Sequence, residues 1–263
     1  MIELVISMVI AAIVAGFVAM MIGSPVQAYL ATSRRAELSD EAENAIRVID
    51  DEVRRALPNS VRVGSIGNLR ILEIIRVTAS LSYREAWPER NAMQFGVPIG
   101  QFSVLEQPVF AGSQHVVIDN RRTGTRSAYS LTNVITPSTT AVATTGTDIT
   151  LSTPFRFTNY PDRSANQRAY LVPDLGVVRY ECDLGAGVLR RYESLPISNS
   201  ITALAAPSTT IARDITACRF QALAGNAQNG GMAIVELTVS RATNGSGIDR
   251  LRMVRQIRVE NPS

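Results

Sequence analysis

The hydrophobic pattern divides the start of the chain into two parts. Residues 2–22 are almost entirely apolar, with Glu3 as the ionisable side chain and Ser7 as the other polar one. A helix of that length spans about 30 Å, which is the thickness of the hydrocarbon core of a bilayer. It is also longer than the apolar core of a signal peptide. The pattern therefore predicts a retained transmembrane helix over residues 1–25.

Residues 26–58 have the pattern of an amphipathic helix that continues the first one. Apolar residues recur at spacings of three and four, while the other faces carry charged side chains. Pro58 and Asn59 predict the end of this helix. Gly23 and Pro25 predict a kink, because proline removes a backbone hydrogen bond and crowds the preceding turn. The apolar stripe consists of Leu38, Ala42, Ala45, Ile46, Ile49, Val53, Ala56 and Leu57.

Residues 59–263 contain the short apolar and alternating runs that are typical of strands. The clearest hairpins join 177–183 to 188–193 and 232–241 to 250–260. The predicted fold class is α+β and pilin-like: a long N-terminal helix, transmembrane and then amphipathic, packed on an antiparallel β-sheet lobe made by residues 59–263. The other strand candidates are 60–63, 70–78, 97–106, 115–119, 128–135, 148–157 and 168–173.

Composition adds little to this picture. The 263 residues leave room for one or two globular lobes after the helix. The net charge is +3, and every basic residue is arginine. Because the chain has no basic block with interleaved aromatic residues, we expect no nucleic-acid partner.

The two cysteines, Cys182 and Cys218, have no CxxC partner, and their spacing is not that of metal ligands. Beyond a membrane helix, in an oxidising compartment, we expect them to form one disulfide. Such a bond stabilises a fold by about 3–4 kcal/mol in the chain-entropy model. Two unpaired buried thiols are the alternative.

Catalytic motifs are missing from the sequence. His115 is the one histidine, and it begins a predicted strand, so we expect it at a surface or strand edge and not in a catalytic triad. Loops 183–187 and 244–249 combine acidic residues with glycine but lack the run of oxygen ligands that calcium needs, so turns are expected. The chain is therefore expected not to be an enzyme and to hold no cofactor or metal.

Ile2-Glu3-Leu4-Val5, followed by the unbroken apolar helix, resembles the N-terminus of type IV pilins and type II secretion pseudopilins. The resemblance implies that Glu3 docks subunits by neutralising the terminal amine of a neighbour, since the two charges escape the cost of separate burial. It also implies prepilin N-terminal methylation and a prepilin peptidase as partner. Met1 stands where the family has leucine, so we expect the peptidase to act on a leader that is missing from this sequence.

Further segments resemble the minor pilin-like subunits of mannose-sensitive haemagglutinin (MSHA) pilus biogenesis. These segments are 178–182, 189–192, 212–220 and 256–261. The resemblance implies a non-catalytic subunit that takes part in initiating a type IV pilus or forms its tip, and that binds other pilin subunits through the N-terminal helix. It also implies a single-pass protein of the bacterial inner membrane, with its lobe in the periplasm and possible incorporation into the pilus.

Two alternatives stay open at this point. The first is a minor pseudopilin of a type II protein secretion system. The second is an adhesin or ligand-binding module at a filament tip, with the threonine-rich segment 132–150 as a polar surface.

Overall fold

Helix α1 spans Ile2–Arg54 and is the longest element of the chain. The computed structural model describes residues 2–85, 91–121, 124–160, 167–225, 231–243 and 247–260, without the side chains of 19, 20 and 22–28. The predicted kink at Gly23 and Pro25 falls among those side chains, outside the described part, and stays a prediction.

Two asparagines fasten the chain where it leaves α1. Asn59 adopts a left-handed conformation with φ of 63°, and its side chain donates to the Asn120 carbonyl at 3.0 Å. The side-chain amide of Asn120 in turn donates to the carbonyl of Pro58 at 2.7 Å. Both amides are buried, so the exchanged bonds satisfy polar groups that would otherwise be costly. The helix ends shortly before Pro58, as predicted.

The rest of the described chain forms fourteen strands in four antiparallel sheets. The sheet orders are β1-β2-β9-β10-β11, β12-β13-β14, β3-β8-β5 and β4-β7-β6. Both predicted hairpins are confirmed, as β9 with β10 and β13 with β14. The strands are β1 Arg62–Ile66, β2 Leu69–Ile75, β3 Ala79–Ser82, β4 Ile99–Ser103, β5 Gln114–Ile118, β6 Val142–Thr145, β7 Asp148–Phe155, β8 Arg168–Pro173, β9 Val177–Asp183, β10 Val188–Leu195, β11 Thr209–Ala212, β12 Ile215–Leu223, β13 Met232–Ala242 and β14 Ile248–Arg258.

The main core lies between the second half of α1 and two of the sheets. The apolar stripe from Leu38 to Val53 packs against residues of β2, β9, β12 and β13. Ile49 and Val53 are fully buried there, and burying a side chain of this size stabilises the fold by about 1.5–3 kcal/mol. The three- and four-residue spacing therefore identified the packed face correctly.

The predicted fold class is wrong. The chain is mostly β, with 43% strand and 22% helix, and no long apolar helix packs on a sheet. The sheet contacts of α1 come from its amphipathic part, because the alternation of apolar and charged residues there provides one face for the core and others for water. The strands that follow form four sheets with three core clusters, where one antiparallel β-sheet lobe was expected.

The predicted single-pass placement in the inner membrane is also contradicted. Among the residues that the structure describes, no helix combines the length and the apolar character needed to cross a bilayer.

The threonine-rich segment 132–150 is more integrated than its composition predicts. Thr136 and Thr140 are buried, and the Thr136 hydroxyl accepts a hydrogen bond of 2.9 Å from the backbone of Val116. The segment also contributes β6 and the start of β7. The segment was expected to be a polar surface loop or an edge region; it is part of the fold and includes the edge strand β6.

Candidate functional site

The first part of α1 presents an apolar surface that the rest of the chain does not cover. Twelve large apolar side chains between Ile2 and Met21 are each exposed by 49–78%. Within the described part of this segment, no side chain belongs to a core cluster. Monomeric proteins rarely expose a continuous apolar surface of this extent, and surfaces of this kind are typical of interaction sites.

Glu3 lies at the head of this surface and is exposed. The adjacent hydroxyl of Ser7 donates to the carbonyl of Leu4 within the helix itself, at 3.0 Å. The side chains that surround Glu3 are apolar and exposed, so a partner that covers them would also enclose its carboxylate. The predicted docking role of Glu3 stays a prediction.

A carboxylate on the other part of α1 fastens the helix to the sheet. Glu52 accepts from Arg76 and from Arg191, each at 2.6 Å, and from the hydroxyl of Tyr180. Tyr180 and Arg191 belong to the adjacent strands β9 and β10. Four side chains from the helix, two strands and the segment after β2 thus meet at one point.

The charge of Glu52 is favoured by these partners. Burial alone would raise the pKa of its carboxyl group, but the hydrogen bonds from Arg191, Tyr180 and Arg76 outweigh that effect, so the pKa is lowered. Burial and the negative charge of Glu52 raise the pKa of Tyr180, which therefore stays protonated as a donor.

The opposite face of the five-stranded sheet carries a second ion cluster, and Glu73 at its centre is buried. Glu73 accepts from Arg62 and from Arg179, each at 2.6 Å, because the strand register places both arginines directly beside it. Arg179 also donates to the Thr202 carbonyl at 2.6 Å, and Arg62 to the Asn199 carbonyl at 3.1 Å. The two arginines therefore hold the segment before β11 against the sheet.

The two cysteines lie together where the five-stranded sheet meets the β12 sheet. Both are buried thiols in this structure. Burial, followed by a hydrogen bond with Cys182, raises the pKa of the Cys218 thiol. Their side chains are thus neighbours although 36 residues separate them in the chain. The expected disulfide stays a prediction.

His115 is the second residue of β5, which is a terminal strand of its sheet. The predicted edge position is correct, but the side chain is buried and not at the surface. Its Nδ1 lies 2.6 Å from the Thr136 carbonyl, and its Nε2 lies 3.1 Å from a carboxylate oxygen of Asp174. These contacts anchor the ring inside the fold.

The loop at Asp183 is a turn, as expected. One oxygen of Asp183 accepts from the backbone of Gly185 and of Ala186, each at 3.0 Å, and the other accepts from Arg190. In the loop 244–249, residues 244–246 lie outside the described part. Across the part of the chain that is described, no three histidine, cysteine, aspartate or glutamate side chains are placed to share a metal ion.

The ion clusters around Glu52 and Glu73 were not identified from the sequence. Both glutamates look like ordinary solvent-facing residues in their local patterns, since one is on a charged helix and the other is in a strand that alternates only partly. In each cluster one arginine lies more than 100 residues away along the chain, Arg191 for Glu52 and Arg179 for Glu73. The pairing of β2 with β9, which no local signal encodes, brings Arg179 beside Glu73, and the packing of α1 on the same sheet brings Arg191 beside Glu52.

Comparison with profiles of known protein families, with curated proteins and with solved structures finds no match.

Proposed function

We propose that this chain is a non-catalytic subunit of a filament of the type IV pilus class, and that the apolar part of α1 joins it to other subunits. The observation that carries the proposal is the row of exposed apolar side chains between Ile2 and Met21. Packing several such helices side by side would remove this surface from water, at about 25 cal/mol for each Å² buried. The β sheets, which pack on the stripe from Leu38 to Val53, would then lie outside the bundle of apolar helices.

Glu3 has a defined role in this arrangement. A carboxylate enclosed by apolar helices requires a cationic partner, because an unpaired buried charge is strongly destabilising. The terminal amine of a neighbouring subunit is the partner that the resemblance of Ile2-Glu3-Leu4-Val5 to type IV pilins implies.

The particular filament is proposed from the segments that resemble the minor pilin-like protein MshO. They favour an MSHA-type pilus, with the chain at its initiating or tip position. A minor pseudopilin of type II secretion, of the GspJ kind, would use the same helix in the same way.

The test replaces one exposed apolar residue in each part of α1 with glutamate. Ile13→Glu places a charge in the apolar surface, and Val48→Glu makes the same change at an exposed position of the amphipathic part. Filaments are counted by electron microscopy in a strain that lacks the native gene and expresses each variant. We expect strains with Ile13→Glu or Glu3→Ala to have as few filaments as the deletion strain. The strain with Val48→Glu should have as many filaments as one that expresses the wild-type chain.

Normal filaments with Ile13→Glu would contradict the proposal. Copurification of the chain with secretion components in place of pilus components would move the assignment to the type II system. Circular dichroism of each variant establishes that the β sheets are intact, so loss of filaments can be assigned to loss of assembly.

A further inference from the structure

The outer edge of β14 is an open strand edge of unusual length. Six of the terminal strands of the four sheets have only four or five residues each. They are β1, β3, β4, β5, β6 and β11. The long terminal strand β12 contacts β1 and β2. Strand β14 has eleven residues, and within the described ranges no strand pairs with its outer side. A long open edge is a template for a further strand.

The register shows which residues point to this edge. The N–H of Val259 donates to the carbonyl of Gly231 at 3.0 Å, and β14 continues in the same register along β13. In an antiparallel pair, bonded and non-bonded positions alternate. The odd-numbered residues of β14 therefore bond to β13, and the even-numbered ones turn their N–H and C=O groups to the open edge.

The exposed face beside the edge is positively charged. Three of the four arginines of β14 lie on this face, Arg250, Arg252 and Arg258. Arg252 pairs with Glu236 at 2.8 Å. Arg250 and Arg258 are exposed, and among the described residues no carboxylate lies within ion-pair distance of either. A strand added here would thus lay every second side chain beside unpaired guanidinium groups.

The inner face beside the edge is a groove between β14 and α1. The helix runs along the strand, joined to it by the ion pairs of Arg35 with Asp249 and of Arg255 with Asp50. Ile46, Leu251 and Met253 line this groove together with charged residues. Every other side chain of an added strand would point into it and contact these apolar groups.

We propose that the open edge of β14 binds an extended segment of a partner protein that alternates acidic and apolar residues. The partner would add a strand to the β12-β13-β14 sheet, as in other cases of β-augmentation. Its carboxylates would pair with Arg250 and Arg258 on the outer face. Its apolar residues would pack in the groove beside Ile46.

A second copy of β14 is a poor occupant of this edge. In the antiparallel pairing that centres on Val254, Arg250 of one copy lies opposite Arg258 of the other. Like charges directly opposite each other destabilise a sheet pair. The arginines therefore disfavour self-pairing and favour an acidic segment.

The experiment measures binding of two labelled peptides to the full chain by fluorescence anisotropy. One peptide alternates glutamate and valine, and the other has lysine in place of each glutamate. Val254→Pro removes an N–H that faces the edge and that β13 does not use, a change that edge strands tolerate. The matched control Val254→Thr keeps that N–H.

We expect the glutamate peptide to bind wild type and Val254→Thr with equal affinity, and Val254→Pro at least about tenfold more weakly. The lysine peptide should bind at least about tenfold more weakly than the glutamate peptide. The proposal would be overturned if both peptides bound wild type with equal affinity. It would also be overturned if the glutamate peptide bound Val254→Pro as tightly as Val254→Thr.

Two further variants keep the test decisive. If Val254→Pro is unfolded by circular dichroism, Arg250→Glu combined with Arg258→Glu replaces it, and this surface double variant should lose preference for the glutamate peptide. Binding at the β14 edge does not require filament assembly. Ile13→Glu, which should block assembly, is therefore expected to bind the glutamate peptide like wild type. Retained preference in the double variant would overturn the proposal.

Discussion

The two parts of α1 differ in what surrounds them, although they belong to one continuous helix. The described side chains of residues 2–18 and 21 are almost all apolar and belong to none of the core clusters, whereas the stripe from Leu38 to Val53 is buried. A helix packs on a sheet when its apolar residues share one face and leave charged faces for water. Apolar content alone therefore did not decide which part joined the core.

The largest expected difference between the two parts of α1 is in the loss of unfolding free energy caused by Ile49→Ala and by Ile13→Ala. Ile49 is fully buried, so its truncation leaves a cavity and should lower the free energy of unfolding by about 3 kcal/mol. Urea denaturation followed by circular dichroism measures this loss. A loss below about 1 kcal/mol would be close to the effect of a surface substitution. It would show that the apolar stripe does not hold α1 against the sheets.

The next test compares two glutamates of the packed part. Glu52→Gln keeps the shape of the side chain but removes the charge that Arg76 and Arg191 share, and we expect a loss of about 2 kcal/mol. Glu43→Gln, whose partner Arg47 is well exposed, should cost less than about 0.5 kcal/mol. Equal losses from the two substitutions would mean that the Glu52 cluster does not fasten the helix.

The pH dependence of the same pair sharpens the comparison. The lowered pKa of Glu52 means that its contribution is present above the ordinary carboxyl pKa of 4.5 and is lost as the pH falls below that value. The difference in unfolding free energy between wild type and Glu52→Gln should therefore be largest at neutral pH and shrink in acid. A difference that stays constant down to pH 3 would contradict the charged role of Glu52.

The smallest expected effect is that of Ile13→Ala. Its side chain is exposed in the folded chain, so the unfolding free energy should change by less than about 0.5 kcal/mol. Under the proposed function, the same substitution weakens association between subunits, which sedimentation velocity of the full chain measures. A stability loss comparable to that of Ile49→Ala would mean that residues 2–21 do pack on the fold.

Local patterns predicted the elements well and their arrangement less well. The spacing of the α1 stripe and the turn chemistry of the β9–β10 and β13–β14 hairpins are set by neighbours in the chain. The expected fold class failed because the weaker strands after Pro58 gave no indication of which strands would pair. The order β1-β2-β9-β10-β11 joins strands that are more than 100 residues apart.

What the sequence by itself determined is the helix, its change from apolar to amphipathic character, and the two strong hairpins, because period and turn residues act over a few positions. Only the tertiary structure decided that Glu73 and His115 are buried with partners and that Glu52 is half-buried among its donors. It also decided that Cys182 lies beside Cys218 and that β14 ends its sheet. These outcomes depend on which distant strands pair, and the free energy of that pairing comes from burying side chains that are far apart in the chain.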